Sequence, residues 1–336
     1  MTTLSVIICT RNLRPAYMQR TLESLDRQTL AKEHWELLIV DNASDNKVAD
    51  QWDLSWHPRV RHVREDVVGV LSARLRGIAE FSGDLCVFFD DDTVVDPSFL
   101  EKVLALSASH PYLGALGCGM VDAEFDVTPP TEVMTYMRML GIRALDSPRW
   151  TNNPEDPSCR PGGAGLCITR QVAREYQRLT KDICATDVIG RRGERLFSGE
   201  DDLFSWAAST ASTGVGLFPE LRLTHLISSE RTTRDYFIRL NHDHTFSHSV
   251  LSYMLTGRKP KEFNVLKSLR ILANGLKNGK FSMQCLHAQA RGEAAAAELI
   301  KQRRLRPIEG FLKTASVLLV AVIQASPWQW FISRFV

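Results

Sequence analysis

The seven cysteines of this 336-residue chain are odd in number, scattered, and never fall at a C-x-x-C spacing. Neither a disulfide framework nor a structural zinc site is supported. Net charge is nearly absent as well. At +2 it is too small to argue for a nucleic-acid partner, and any basic surface must be local. No internal repeat is visible. The amino terminus shows no basic region, long apolar core or small-residue cleavage site before the strand-like residues 4–9, which points to a reducing cytoplasm. What the chain does have is apolar mass: 44% hydrophobic residues can build a sizeable core, in one large domain or two small ones.

Short apolar runs rich in β-branched residues alternate with helix-period segments through the first third. Residues 4–9, 37–40, 60–63 and 85–89 read as strands, with helical patterns around Met18, Leu22 and Leu25 and over 70–81 between them. This is the βαβ rhythm of an α/β fold with a mostly parallel central sheet and helices on both faces. Ligands in such sheets bind beyond the carboxyl ends of the strands. Three of the four strand ends carry suitable polar groups: Thr10-Arg11-Asn12, Asp41-Asn42 and Asp90-Asp91-Asp92.

Beyond a further strand over 113–121, the proline-rich residues 128–161 read as a long insertion over the site, with a helix over 132–140. A glycine-rich turn containing Gly162, Gly163 and Gly165 follows. It lacks a trailing Lys-Ser/Thr, so a backbone platform is expected there rather than a phosphate loop. Helices are expected over 170–179 and 203–211, a strand over 215–223 ending at Thr224-His225, and helices from 233 to 304 broken near 257–260 and 275–279. The expected division is 1–115, 116–230, and 231–336 as a helical extension. Its last part, about 311–336, includes uncharged residues 314–333 preceded by Lys301, Arg303, Arg304 and Arg306. Gln324, Pro327 and Gln329 argue against a spanning helix, and Trp328, Trp330 and Phe331 suit the headgroup level. Attachment to a membrane surface is expected of this tail; packing on the protein's own core or on a second subunit is the alternative.

The aspartate triplet is the strongest chemical signal. Two like charges about 4 Å apart repel by roughly 4 kcal/mol at an effective dielectric near 20, so three carboxylates at the end of an apolar strand ask for a cation. Mg²⁺ or Mn²⁺ fits, and brings phosphates with it; a solvated turn is the plainer alternative. Glu200-Asp201-Asp202 is a second acidic cluster. It opens a helix and exceeds what capping requires, so a carboxylate here could serve as a general base. His225, at a strand end, could complete a metal or phosphate site. His242, His244 and His248 match no known zinc pattern; a polar helix face, lining a groove with Arg231, Arg234 and Arg239, is the better reading.

Taken in order, the segments 6–12, 38–45, 69–78, 88–92 and 199–201 resemble the inverting glycosyltransferases of family 2, which have the GT-A fold. The resemblance covers about the first 230 residues and implies that 1–115 bind the nucleotide-sugar while 116–230 bind the acceptor and carry the catalysis. It implies that Thr10, Arg11, Asn12 and Asp41 hold the nucleoside, with Ser72 and Arg74 near the base and phosphates. Asp91 would lie on the ribose, and Asp90, Asp92 and His225 would ligate Mn²⁺ or Mg²⁺. Asp201 would be the catalytic base, and Glu200, Gly162 and Gly163 would contact the acceptor. The implied partners are a nucleotide-diphosphate sugar donor, with UDP favoured, and a glycan or lipid-linked acceptor, in cell-surface polysaccharide or glycolipid synthesis. The implied location is cytoplasmic, peripheral on the cytoplasmic face of the membrane, with association of copies through the C-terminal helices. Leu75 departs from the asparagine often found in the family, and the Gln-x-x-Arg-Trp motif of processive synthases is missing after Asp201, which favours a single-transfer enzyme.

Two rival readings differ in class. A haloacid-dehalogenase-type phosphohydrolase would use Asp90 as nucleophile, yet it wants threonine where Val94 stands and places its motif on the first strand. A non-catalytic nucleotide-sugar-binding protein would keep Asp41 and Asp92 without needing Asp201.

Overall fold

The computed structural model describes residues 4–184, 188–260 and 265–308. The expected membrane-associating tail, about 311–336, lies outside the described residues. Among the described residues no helix is long and apolar enough to cross a membrane.

One ten-stranded sheet organises the chain, in the order β3-β2-β1-β4-β9-β6-β10-β5, with β7 paired to β6 and β8 to β10. The strands are β1 (Leu4–Thr10), β2 (Trp35–Asn42), β3 (Val60–Glu65), β4 (Leu85–Asp90), β5 (Thr93–Val95), β6 (Leu113–Phe125), β7 (Arg143–Ala144), β8 (Arg149–Thr151), β9 (Leu166–Thr169) and β10 (Gly214–Ile227). The long pairings, β1 with β2 and β4, β2 with β3, and β6 with β10, are all parallel. Their central strands are buried on both faces, which is why Val6-Ile7-Ile8 and Leu37 to Val40 read as unbroken apolar runs instead of alternating. Strand β9 runs antiparallel between β4 and β6, so the sheet continues without a break across residue 115.

The helices are α1 (Pro15–Asp26), α2 (Val70–Glu80), α3 (Phe99–Ser109), α4 (Arg170–Cys184), α5 (Asp202–Thr210), α6 (Arg234–Thr256) and α7 (Val265–Gln302). Proline stands at the start of α1, where its missing N–H is not needed. Met18, Leu22 and Leu25 then bury one face with Phe99, Leu100 and Val103 of α3 on one side of the sheet. Each such side chain contributes about 1.5–3 kcal/mol on burial. Helices α2, α4 and α5 cover the other side, joined by Val250, Leu251, Met254 and Leu255 of α6. The Thr233 hydroxyl caps α6 by accepting the Tyr236 amide at 3.2 Å, and Gly257, with φ +74°, ends it. Helix α7 breaks at Gly279, φ +88°, so both interruptions fall where the glycines led one to expect them.

Two expectations need correction. Residues 131–140 form a 3₁₀ segment, Thr131–Leu140, instead of an α-helix. The expected strand 215–223 extends to Ile227, because it pairs with β6 as far as Phe125 and with β5 at Thr93; His225 therefore lies inside a strand. Of the arginines expected to line a groove, Arg231 meets Asp92, Arg234 meets Glu132, and Arg239 meets the Glu194 carbonyl. Cys9, Cys86, Cys118, Cys159, Cys167 and Cys285 are free thiols.

Candidate active site

The carboxyl ends of β1, β2 and β4 are adjacent in the sheet, and the loops that leave them are tied together. Asn12, in the left-handed region at φ +50°, donates its backbone N–H to Ser44 Oγ at 3.0 Å. Its side chain donates to Asp45 at 3.1 Å and accepts the Asp45 amide at 2.9 Å. Asp41 is buried. One of its oxygens takes the Ser44 amide at 2.9 Å; the other takes the Val48 amide at 3.3 Å and Arg64 at 3.0 Å. Burial works against its charge, and these donors outweigh it, holding the pKa below the ordinary carboxylate range. Asn42 bonds the Val67 carbonyl at 2.8 Å and accepts the Gly69 amide at 2.7 Å, setting the start of α2. Ser72, one turn in, lines a cavity with Gly69, Ile189 and Arg192. Arg11 is exposed.

The three aspartates separate by face. Asp91 accepts a hydrogen bond from the Thr10 hydroxyl; burial and the neighbouring Asp92 raise its pKa to about 7. Asp90 is raised too, by burial and then by Asp92, with Arg74 opposing. Asp92 goes the other way. Burial would raise it, yet His225 and Arg231 reverse the balance and hold it well below the ordinary range. Its Oδ2 lies 2.9 Å from Arg231 Nη1 and 3.3 Å from His225 Nε2. The Nδ1 of His225 is 3.0 Å from the Leu140 carbonyl, a pure acceptor, so Nδ1 carries the proton. Arg231 Nη1 lies 3.0 Å from Nε2.

These atoms suit a divalent cation. Asp92 Oδ1 is buried with no partner, and an imidazole anchored through Nδ1–H to a carbonyl is the usual posture of a metal-ligating histidine. Among the described residues no group of three or more His, Cys, Asp or Glu side chains surrounds one point, so substrate oxygens would have to complete the set, as is common for Mg²⁺.

The second cluster is joined to the first by Arg74. Its Nη1 meets Glu200 Oε1 at 3.3 Å, both side chains buried, and its guanidinium lies 5.8 Å from the Phe88 ring centroid. Gly163 is pressed against it: a Cβ there would stand 2.9 Å from Arg74 Cζ. Glu200, expected at the acceptor, is thus turned inward. Its pKa rises to about 7, from burial and then Asp201, despite Arg74. Asp201 caps α5 through Oδ1, which accepts the Asp202 amide at 3.1 Å; Oδ2 carries no hydrogen bond among the described residues. Asp202 faces Arg160 and His248, each at 3.1 Å, and the rings of His244 and His248 stack with centroids 4.1 Å apart. Two of the three histidines therefore buttress the helix that presents Asp201. Gly162 lies beside Arg143, whose Nη1 donates to the Arg160 carbonyl at 3.0 Å.

Sequence reasoning missed Arg191 and Tyr236. Arg191 donates to the Tyr236 hydroxyl at 3.3 Å, and the electrostatic influence of Arg191 reaches Asp90, Asp92 and Glu200. No periodic signal marks an arginine in an irregular loop; only the excess of carboxylates hinted that cations must be supplied.

Residues 5–160 match the family model described as glycosyl transferase family 2. Validoxylamine A glucosyltransferase of Streptomyces hygroscopicus subsp. limoneus is 35% identical over 119 residues, 34% of this chain and 26% of that protein. The O-antigen biosynthesis protein RfbC of Myxococcus xanthus is 28% identical over 240 residues, 66% of this chain and 17% of that protein. The matched parts thus span about a quarter or less of these two relatives. Among solved structures, a mannosyltransferase from Pyrobaculum calidifontis in complex with GDP-Man and Mn²⁺ is 17% identical, covering 98% of this chain and 83% of that one, with a TM-score of 0.48. S. aureus TarS 1-349 in complex with UDP is 13% identical, covering 90% and 91%, with a TM-score of 0.46. The match over residues 5–160 makes this part of the chain similar to the glycosyl transferase family 2 domain.

Proposed function

We propose that the protein is an inverting glycosyltransferase, moving a sugar from a nucleotide-diphosphate donor, UDP-sugar favoured, to a hydroxyl of a glycan or lipid-linked acceptor in cell-surface polysaccharide or glycolipid synthesis. The observation that carries this reading is the pairing of Asp92, just past β4, with His225 inside β10, with a buried, unpartnered oxygen on Asp92. Asp92, His225 and Asp90 would hold Mn²⁺ or Mg²⁺, which when bound neutralises the diphosphate leaving group.

The other residues then have assignable tasks. Thr10, Arg11, Asn12 and Asp41 border the nucleoside, and Asp91 the ribose. Arg74 fixes Glu200 and so the start of α5. Asp201, with Oδ2 available, takes the proton of the acceptor hydroxyl as that oxygen attacks the anomeric carbon from the face opposite the departing diphosphate. One displacement inverts the configuration. Gly162 and Gly163 form the platform beneath the acceptor. We propose further that the tail after residue 311 rests on the cytoplasmic face of the membrane, and that copies associate through the apolar stripe Leu269, Leu272 and Leu276, exposed on α7.

The test pairs binding with transfer. Melting of the protein is measured with UDP, GDP and dTDP, with and without Mn²⁺; stabilisation that needs both nucleotide and metal is expected. Asp201→Asn is expected to keep that stabilisation and to lose transfer by orders of magnitude. No shift with any nucleotide plus metal overturns the donor assignment, and undiminished transfer by Asp201→Asn overturns the mechanism. A chain ending at residue 313 that still pellets with membranes removes the tail proposal.

A further inference from the structure

The guanidinium of Arg231 stands where the site calls for a cation. Its Nη1 lies 2.9 Å from Asp92 Oδ2 and 3.0 Å from His225 Nε2, two atoms only 3.3 Å from each other. A divalent metal bound through His225 Nε2 would need the position that Arg231 Nη1 holds, 3.0 Å from that nitrogen, so guanidinium and metal exclude one another there. Two buried polar atoms of the same pair of residues have no partner: Asp92 Oδ1, which lacks a cation or donor, and Arg231 Nε, which lacks an acceptor. A metal ion would satisfy the first and an anionic oxygen the second. Arg231 sits on a four-residue 3₁₀ segment, Ser229–Thr232, directly after β10. Its neighbour Tyr236 also receives a hydrogen bond from Arg191, so two guanidinium groups converge on one hydroxyl at the edge of the aspartate triplet.

We propose that Arg231 is the counter-cation of Asp92 before donor and metal bind and that it exchanges partners on donor binding, releasing Asp92 and His225 to the incoming metal and turning with Arg191 onto the diphosphate. This rests on the donor reading above. Metal alone must compete with Arg231 and binds weakly. The diphosphate draws Arg231 away, so metal and nucleotide strengthen each other's binding by the same factor.

Binding of Mn²⁺ to the full chain, followed by the electron paramagnetic resonance signal of the free ion with and without UDP, tests this. In the wild type the two ligands are expected to be coupled; additive binding overturns the proposal whatever the variants do. Arg231→Gln is expected to bind Mn²⁺ alone at least about fivefold more tightly than the wild type, and to lose a comparable share of the gain that UDP confers. Arg231→Lys keeps a cation and is expected to retain weak binding of the metal alone. Unchanged or weaker Mn²⁺ affinity in an Arg231→Gln protein that melts like the wild type overturns the proposal. Because UDP and Mn²⁺ would still bind the wild type in that case, the donor reading would survive; loss of all nucleotide binding would instead remove that reading.

Discussion

Arg74 and Glu200, 126 residues apart in the chain, meet at 3.3 Å with both side chains buried. A buried pair is weak evidence for stability as a unit, yet removing one partner leaves the other charge stranded. Arg74→Ala is therefore expected to cost about 3–5 kcal/mol, towards the low end because Glu200 can neutralise itself by taking a proton. Urea unfolding measures it, and an unchanged midpoint would show that the link between α2 and α5 contributes nothing.

The same pair predicts a pH dependence. The folded Glu200 has a pKa of about 7 against an ordinary value of 4.5, so the native state binds the proton more tightly than the unfolded chain. The associated stability is fully present below about 4.5 and is lost as pH rises through about 7. Glu200→Gln abolishes this loss. The difference in melting temperature between Glu200→Gln and the wild type is expected to move in favour of the variant across that window; parallel profiles would contradict it.

Gly163→Ala tests the contact from the other side. A Cβ 2.9 Å from Arg74 Cζ forces the guanidinium away from its partner, and overpacking of this kind costs about 1–3 kcal/mol. If the glycine platform only needed a flexible backbone, alanine would be tolerated, and a thermal melt would show it.

Ala43 lies at φ +53° in the turn after β2, a conformation that costs a side-chain-bearing residue about 1–2 kcal/mol. Ala43→Gly is expected to raise stability by about 1 kcal/mol after allowing for the greater freedom of glycine in the unfolded chain. Equal or lower stability in urea would refute it.

The legible parts of the fold were those with long local signals. Strands β1, β2 and β4 announce themselves because burial on both faces demands consecutive apolar residues, and Asp90 to Asp92 stand out because they terminate such a run. Strands β5, β7 and β8 span only two or three residues, too few for any period. The direction of β9 is set by its neighbours β4 and β6 and leaves no trace in its own residues. Within the site, the acids were readable and their partners were not. Arg74 to Glu200, Arg231 to Asp92 and His248 to Asp202 are long-range pairs, formed by side chains whose spacing in sequence says nothing about where they point.

The insertion of β9 between β4 and β6 has an engineering consequence. Gly165 donates its amide to the Phe88 carbonyl at 2.7 Å, so the glycine turn is laced to the strand that ends in the aspartates, and the distance between the two is fixed by sheet hydrogen bonds. The long excursion from Asp126 to Arg160 leaves and re-enters this frame through β6 and the turn before β9. Because that excursion also supplies β7, β8 and the Leu140 carbonyl that holds His225, only the stretches between those anchors can change length without disturbing the spacing of the reacting groups, and the sheet then acts as a ruler onto which they are grafted.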